Sequence, residues 1–121
     1  MPRDPWSLLP LKPLVFEILL ALADGERHGW ALVRAVEARL HKSVLPGNLY
    51  RTLNAMQAEG LLDESAGPAR IRARQASGGR APRRFFRLSA FGRAVGHAEA
   101  RRLAGLVEES RTKRFLEGGT R

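Results

Sequence analysis

The stretch LPGNLYRTLNAMQAEGLL, residues 45–62, decides the fold of this 121-residue chain. Leu49, Leu53 and Met56 recur at helical spacing, which predicts a helix with one face in a hydrophobic core. The opposite face carries amides, one phenol and one guanidinium, on Asn48, Tyr50, Arg51, Asn54 and Gln57. Its single acid, Glu59, stands at the far end. A face with this composition is suited to contacting a partner rather than only to being solvated.

The charge of the whole chain indicates the kind of partner. There are 21 Lys and Arg residues against 12 Asp and Glu, a formal net charge of +9. Such a balance favours a polyanion, most often nucleic acid or an anionic membrane surface. Cysteine is absent and the three histidines lack metal-ligand spacing, so we expect no metal and no cofactor. The longest apolar run, residues 14–23, contains Glu17 and is too short to span a membrane. We therefore expect a cytoplasmic, single-domain protein with no membrane contact.

Three helices and a hairpin are predicted in order along the chain. Residues 1–12 are predicted to form an N-terminal arm. Helices are predicted from Pro13 to Ala23 and from His28 to His41. The third helix is the opening stretch, with Gly60 as its cap. Short strand-like runs, LLDES and RRFFRLS, then flank a long basic tip.

The chain closes with a further helix, which Ser89 can cap and which we expect to extend to about Glu117. Its apolar stripe is thin, and such a helix needs a partner surface. The predicted fold class is mainly α with a small β-hairpin: a winged helix-turn-helix at 13–89 and a C-terminal dimerisation helix and tail at 90–121.

This order predicts binding to double-stranded DNA. Asn is suited to adenine and Arg to guanine in the major groove, and Asn48, Arg51 and Asn54 follow one another at three-residue spacing. Tyr50 and the helix start at Gly47 can contact phosphates. The basic tip can enter a minor groove or neutralise phosphates. Its candidate arginines are Arg74, Arg80, Arg83 and Arg84.

Some of these residues also have a purely structural interpretation. Tyr50 is as well suited to packing against the base of the hairpin as to binding a phosphate. Trp30 is expected to be buried between helices rather than to form a ligand platform. His28 is expected at a helix start rather than in catalysis, and a basic loop can serve solubility alone.

Three blocks of sequence resemble the PadR family of bacterial winged-helix transcriptional regulators. They are LVFEILLALADGERHGWALVRAVE, LPGNLYRTLNAMQAEGLL and GRAPRRFFRLSAFGRAV, which occur in the family's order. Two positions depart from the family pattern. Leu45 stands where a capping Ser is common, and Phe86 where the wing strand often has Tyr.

The resemblance implies a homodimer on a palindromic operator, usually acting as a repressor. In some members a small aromatic or lipophilic effector releases the DNA. The dimer contact would involve the first and last helices, and the candidate residues are Leu14, Ile18, Val95, Leu103, Leu106 and Val107. The residues do not identify an effector pocket.

Two other functions remain open from sequence alone: a non-specific nucleic-acid binder and a winged-helix module that binds a protein. An enzyme is not expected, because the sequence offers no activated nucleophile, paired carboxylates or phosphate-cradling glycine loop.

Overall fold

The computed structural model describes residues 3–65, 67 and 84–117. Within these ranges the α-helices are α1 (Pro13–Leu22), α2 (Gly29–Leu40), α3 (Pro46–Ala58) and α4 (Ala90–Thr112). The strands are β1 (Arg27–His28), β2 (Leu62–Ser65) and β3 (Phe85–Leu88). A short 3-10 helix, Pro5–Leu8, lies in the N-terminal arm. The predicted fold class, mainly α with a small β element in a winged helix-turn-helix, is confirmed.

The hydrophobic core lies where α1, α2 and α3 meet the sheet. The predicted stripe of α3, Leu49, Leu53 and Met56, is buried. Phe86 of β3 is fully buried among the helices, and Val95 brings α4 into the same cluster. Helix stripes with this spacing stabilise a domain mainly through apolar burial, so the core fixes the orientation of the outer face of α3.

The sheet is larger than the predicted hairpin. Its order is β1-β3-β2 and both pairings are antiparallel. The predicted pair, β2 with β3, is present, but β3 is central and also pairs with β1, with Arg27 opposite Phe86. We did not predict β1, because two residues are too few to show the alternation that marks a strand.

The helix ends follow the predicted capping residues. The His28 ring nitrogen Nδ1 accepts a hydrogen bond from the Ala31 N–H at 3.3 Å, which confirms it as a helix-start residue. Ser89 caps α4 by accepting from the Gly92 N–H at 2.9 Å. Gly60 follows α3 with φ of 80°, a conformation that favours glycine.

The start of α4 lies directly against the chain that follows α3. A side-chain carbon at Gly92 would lie 1.8 Å from the backbone oxygen of Leu61, so only glycine fits there. Gly96, one turn later, is different, because a carbon there would lie 3.7 Å from the nearest atom, Cδ1 of Leu19. The wing base and the last helix are therefore packed backbone to backbone.

The predictions for the end of α4 and for the burial of Trp30 were wrong. Helix α4 ends at Thr112, not near Glu117, because Arg114 adopts φ of 64° and the chain turns back, with the Phe115 N–H donating to the Ser110 oxygen. Trp30 is 63% exposed rather than buried. It stands two residues before Leu32, so the helical period turns it away from the buried stripe of α2.

Candidate nucleic-acid interface

The outer face of α3 presents the residues that the sequence singled out. Asn48, Arg51 and Asn54 are all exposed. With a turn of about 100° per residue, they span an arc centred on Arg51, opposite the buried stripe. No acidic residue occurs in Pro46–Ala58, so nothing within α3 repels an anion.

No side chain caps the N-terminus of α3 within the described residues. Leu45 is the N-cap residue. Its carbonyl accepts from the Leu49 N–H at 3.1 Å, and Gly47 is exposed. The N–H groups of a helix's first turn have no partner within the helix, so Gly47 can offer its N–H to a phosphate.

Tyr50 packs against neighbouring elements, which is one of the two roles that the sequence left open for it. It is half-buried, and its hydroxyl fills the space beside Gly29, where an added side-chain carbon would lie 1.8 Å away. The guanidinium carbon of Arg84 lies 5.8 Å from the centre of its ring. Tyr50 therefore joins α3 to the start of α2 and to the wing base.

Arg84 has several partners within the chain. Its Nη2 donates to Asn54 Oδ1 at 3.1 Å and to Glu64 Oε1 at 3.0 Å, and its guanidinium lies over the Phe86 ring at 5.0 Å. Arg84 was predicted to contact DNA, which stays a prediction; in the structure its guanidinium links the wing base to α3. No pattern in the sequence indicates this link, because Glu64 and Asn54 meet Arg84 only in the fold.

A second ordered pair lies at the start of the arc. Arg51 Nη1 donates to Asn48 Oδ1 at 3.1 Å. The three-residue spacing that suggested a binding face therefore also allows these side chains to orient one another.

Part of the predicted interface falls on the long basic tip. Arg74, Arg80 and Arg83 lie outside the described residues. Arg87 on β3 and Arg93 on α4 are exposed.

The predicted dimerisation residues divide into two groups. Ile18 and Val95 have no exposed surface, since the core of their own subunit covers them, so we correct their assignment to a subunit contact. Leu14 and Leu103 are half-buried, while Leu106 is 47% exposed and Val107 41%.

Glu99 is a buried carboxylate that we did not single out from sequence. It is 2% exposed and accepts hydrogen bonds from the Leu11 N–H at 2.9 Å and from Arg102 Nη2 at 3.1 Å. Hydrogen bonding from Arg102 lowers the pKa of Glu99, burial opposes this, and the Leu11 N–H adds to the lowering. Glu99 thus ties the arm to α4.

The arm is also fixed at the end of α3. Arg3 donates to the backbone oxygen and to the carboxylate of Glu59, both at 2.7 Å. Between arm, α1 and α3 lies an open groove of about 470 Å³, whose lining includes Leu8, Met56 and Arg51.

Within the described part of the chain, no group of three or more His, Cys, Asp or Glu side chains could hold a metal ion. Across the same residues, no helix combines the length and apolar character needed to cross a membrane.

The fold and the polar face of α3 together define a winged-helix protein. The chain matches the transcriptional regulator PadR-like family over residues 18–98, and it belongs to this family. Members of the family are transcriptional regulators and not enzymes. No match was found among curated proteins.

Solved structures of regulators share the fold. A PadR family transcription regulator from Clostridium difficile is 18% identical with a TM-score of 0.64, covering 84% of this chain and 97% of that one. RosR from H. salinarum is 20% identical with a TM-score of 0.58, over 88% and 98%. The transcriptional repressor CouR, bound to a 23-mer DNA duplex, is 22% identical with a TM-score of 0.62, over 93% and 68%.

Proposed function

We propose that this PadR-like regulator is a cytoplasmic, sequence-specific repressor that binds a palindromic operator as a homodimer. The observation that carries the proposal is the outer arc of α3, where Asn48, Arg51 and Asn54 are exposed opposite a fully buried stripe. A helix of this kind fits the major groove, where side chains can reach base edges. Support for a DNA partner also comes from CouR, which shares the fold and is bound to a duplex.

The exposed apolar surface of α4 supports the dimer. This helix has 23 residues and is about 34 Å long. The stripe that begins with buried Val95 continues along the same side through Leu103, Leu106 and Val107, where the last two are exposed. A second copy of the helix would cover these residues, and a two-fold dimer would present two α3 helices to a palindrome.

Regulation by a small aromatic or lipophilic effector is part of the proposal. This part of the proposal is based on the family resemblance, and it assigns no residues to the effector pocket. The proposal also divides the chain into an arm at 1–12, a DNA-binding domain at 13–89 and a C-terminal dimerisation helix and tail at 90–121.

The test is fluorescence anisotropy with duplexes tiled across the DNA upstream of the protein's own gene, against scrambled duplexes, at several salt concentrations. We expect tight binding to one tile. Arg51→Ala should weaken that binding by about 1–3 kcal/mol and reduce the preference over scrambled DNA. Arg111→Ala is the matched control, because it removes the same charge from an exposed site near the end of α4.

The other outcomes identify the two remaining functions. Equal, salt-sensitive binding to every duplex would indicate a non-specific nucleic-acid binder. An absence of binding even at low salt would indicate a module that binds a protein.

A further inference from the structure

The two amides on the outer arc of α3 are held in defined orientations. A guanidinium group has only hydrogen-bond donors, so the amide atom that faces it must be the oxygen. Asn54 therefore turns its oxygen to Arg84, at 3.1 Å, and Asn48 turns its oxygen to Arg51, also at 3.1 Å. Among the described residues, none accepts a hydrogen bond from either amide nitrogen.

Arg84 is well placed to keep Asn54 in this orientation. Its guanidinium is held by the Glu64 carboxylate at 3.0 Å and lies over the rings of Phe86 and Tyr50. Charge-assisted hydrogen bonds of this kind are stronger than neutral ones. Phe86 is fully buried and Tyr50 half-buried, so the surface beneath Arg84 is fixed by the core.

The consequence is a face that offers donors and few acceptors. Reading adenine with an Asn side chain needs the amide oxygen for the adenine N6 amino group and the amide nitrogen for N7. On α3 both amide oxygens already face a positive charge, which disfavours the approach of another N–H donor. Guanine presents two acceptors in the major groove, N7 and O6, which match amide nitrogens and a guanidinium.

We propose that α3 reads guanine rather than adenine at the base that Asn54 meets, and that Arg84 determines this choice by orienting the Asn54 amide. The inference rests on the proposed function, since it assumes that α3 enters a major groove. Arg84 acts here as a positioning residue, and the contact with the base is made by Asn54.

The experiment is selection of bound duplexes from a random library, followed by sequencing, with the full-length chain and two variants. Arg84→Met removes the donors and the charge but keeps an unbranched side chain that can lie on the aromatic rings. Arg87→Met is the control, because it makes the same change on β3, which begins directly after Arg84. The two-residue period of an extended chain places Arg87 on the other side of the chain from Arg84.

We expect the unaltered chain to enrich one motif with guanine under α3. Arg84→Met should keep that motif except at one base pair, where the ratio of guanine to adenine falls about 5- to 150-fold, the range for one bidentate base contact. Arg87→Met should leave the ratio unchanged. A motif with adenine under α3, or one that Arg84→Met leaves intact, would overturn the inference while the proposed function stands.

A second measurement uses only the unaltered protein. In the enriched duplex each guanine is replaced in turn by 7-deazaguanine, which lacks the N7 acceptor. Binding should weaken at the position that Arg84→Met changes, and unaltered binding at every guanine would overturn the inference. Failure to enrich any motif would instead refute the proposed function itself, and the inference with it.

Discussion

Two glycines one turn apart in α4 should respond in opposite ways to the same substitution. At Gly96, an added carbon makes an ordinary contact of 3.7 Å with Leu19. Gly96→Ala should therefore stabilise the fold by about 1 kcal/mol, the difference in helix propensity between the two residues. At Gly92 the added carbon lies 1.8 Å from the Leu61 oxygen, a backbone atom that cannot rotate away.

The cost at Gly92 can be worked from this geometry. Relief of the clash requires a shift of about 1.6 Å to reach an ordinary contact of 3.4 Å. That shift would also disturb the hydrogen bond from the Ser89 N–H to the same Leu61 oxygen, 3.2 Å long. Overpacking costs about 1–3 kcal/mol and sometimes more, so we expect Gly92→Ala to destabilise the fold by about 3 kcal/mol.

The assay is urea unfolding followed by circular dichroism at one fixed protein concentration, since dimerisation would make stability depend on concentration. The two variants should differ by about 4 kcal/mol, which separates their midpoints by about 2–4 M for a slope of about 1–2 kcal/mol per M. Equal midpoints for the two variants would refute the close approach of α4 to Leu61.

Three further outcomes are expected. Glu99→Gln should lower the urea midpoint at pH 7. Because the folded-state pKa of Glu99 is lowered, its contribution to stability is fully present above its unfolded pKa and disappears as the pH falls through the folded value. The variant should therefore show a flatter stability profile below the ordinary carboxyl pKa of 4.5. Leu106→Glu should give a monomer in sedimentation. Thr112→Glu is the control and should leave the dimer intact, because it introduces the same charge at an exposed position about 120° or more around α4 from Leu103, Leu106 and Val107. Arg83→Ala should reduce the slope of log affinity against log salt by about 0.9 for each phosphate that the arginine neutralises, and an unchanged slope would exclude that role for Arg83.

The helices were predictable from sequence because their determinants are local. The stripe of Leu49, Leu53 and Met56 identified α3, and the caps at His28 and Ser89 identified two helix starts. The exposure of Asn48, Arg51 and Asn54 follows from the same period, since a residue opposite a buried stripe must face outward.

The features that were not predictable depend on residues far apart in the chain. Glu99 is buried because the arm brings Leu11 to it from 88 positions away. Arg84 is drawn into an intramolecular contact by Glu64, 20 positions away, and Asn54, 30 positions away. Contacts between residues so far apart produce no periodic pattern in the sequence. From sequence alone, Glu99 and Arg84 are therefore predicted only to be solvated charges.

The central position of β3 has a consequence for protein synthesis. Residues 27 and 28 pair with a strand about sixty residues later, and Phe86 of that strand is fully buried among α1, α2 and α3. A ribosome adds about 5–20 residues per second, so β1 is synthesised about 3–12 s before the strand with which it pairs. During that interval the helices can contact one another, but the surface that Phe86 buries stays exposed, so a chaperone that binds apolar segments could bind the nascent chain before β3 is synthesised.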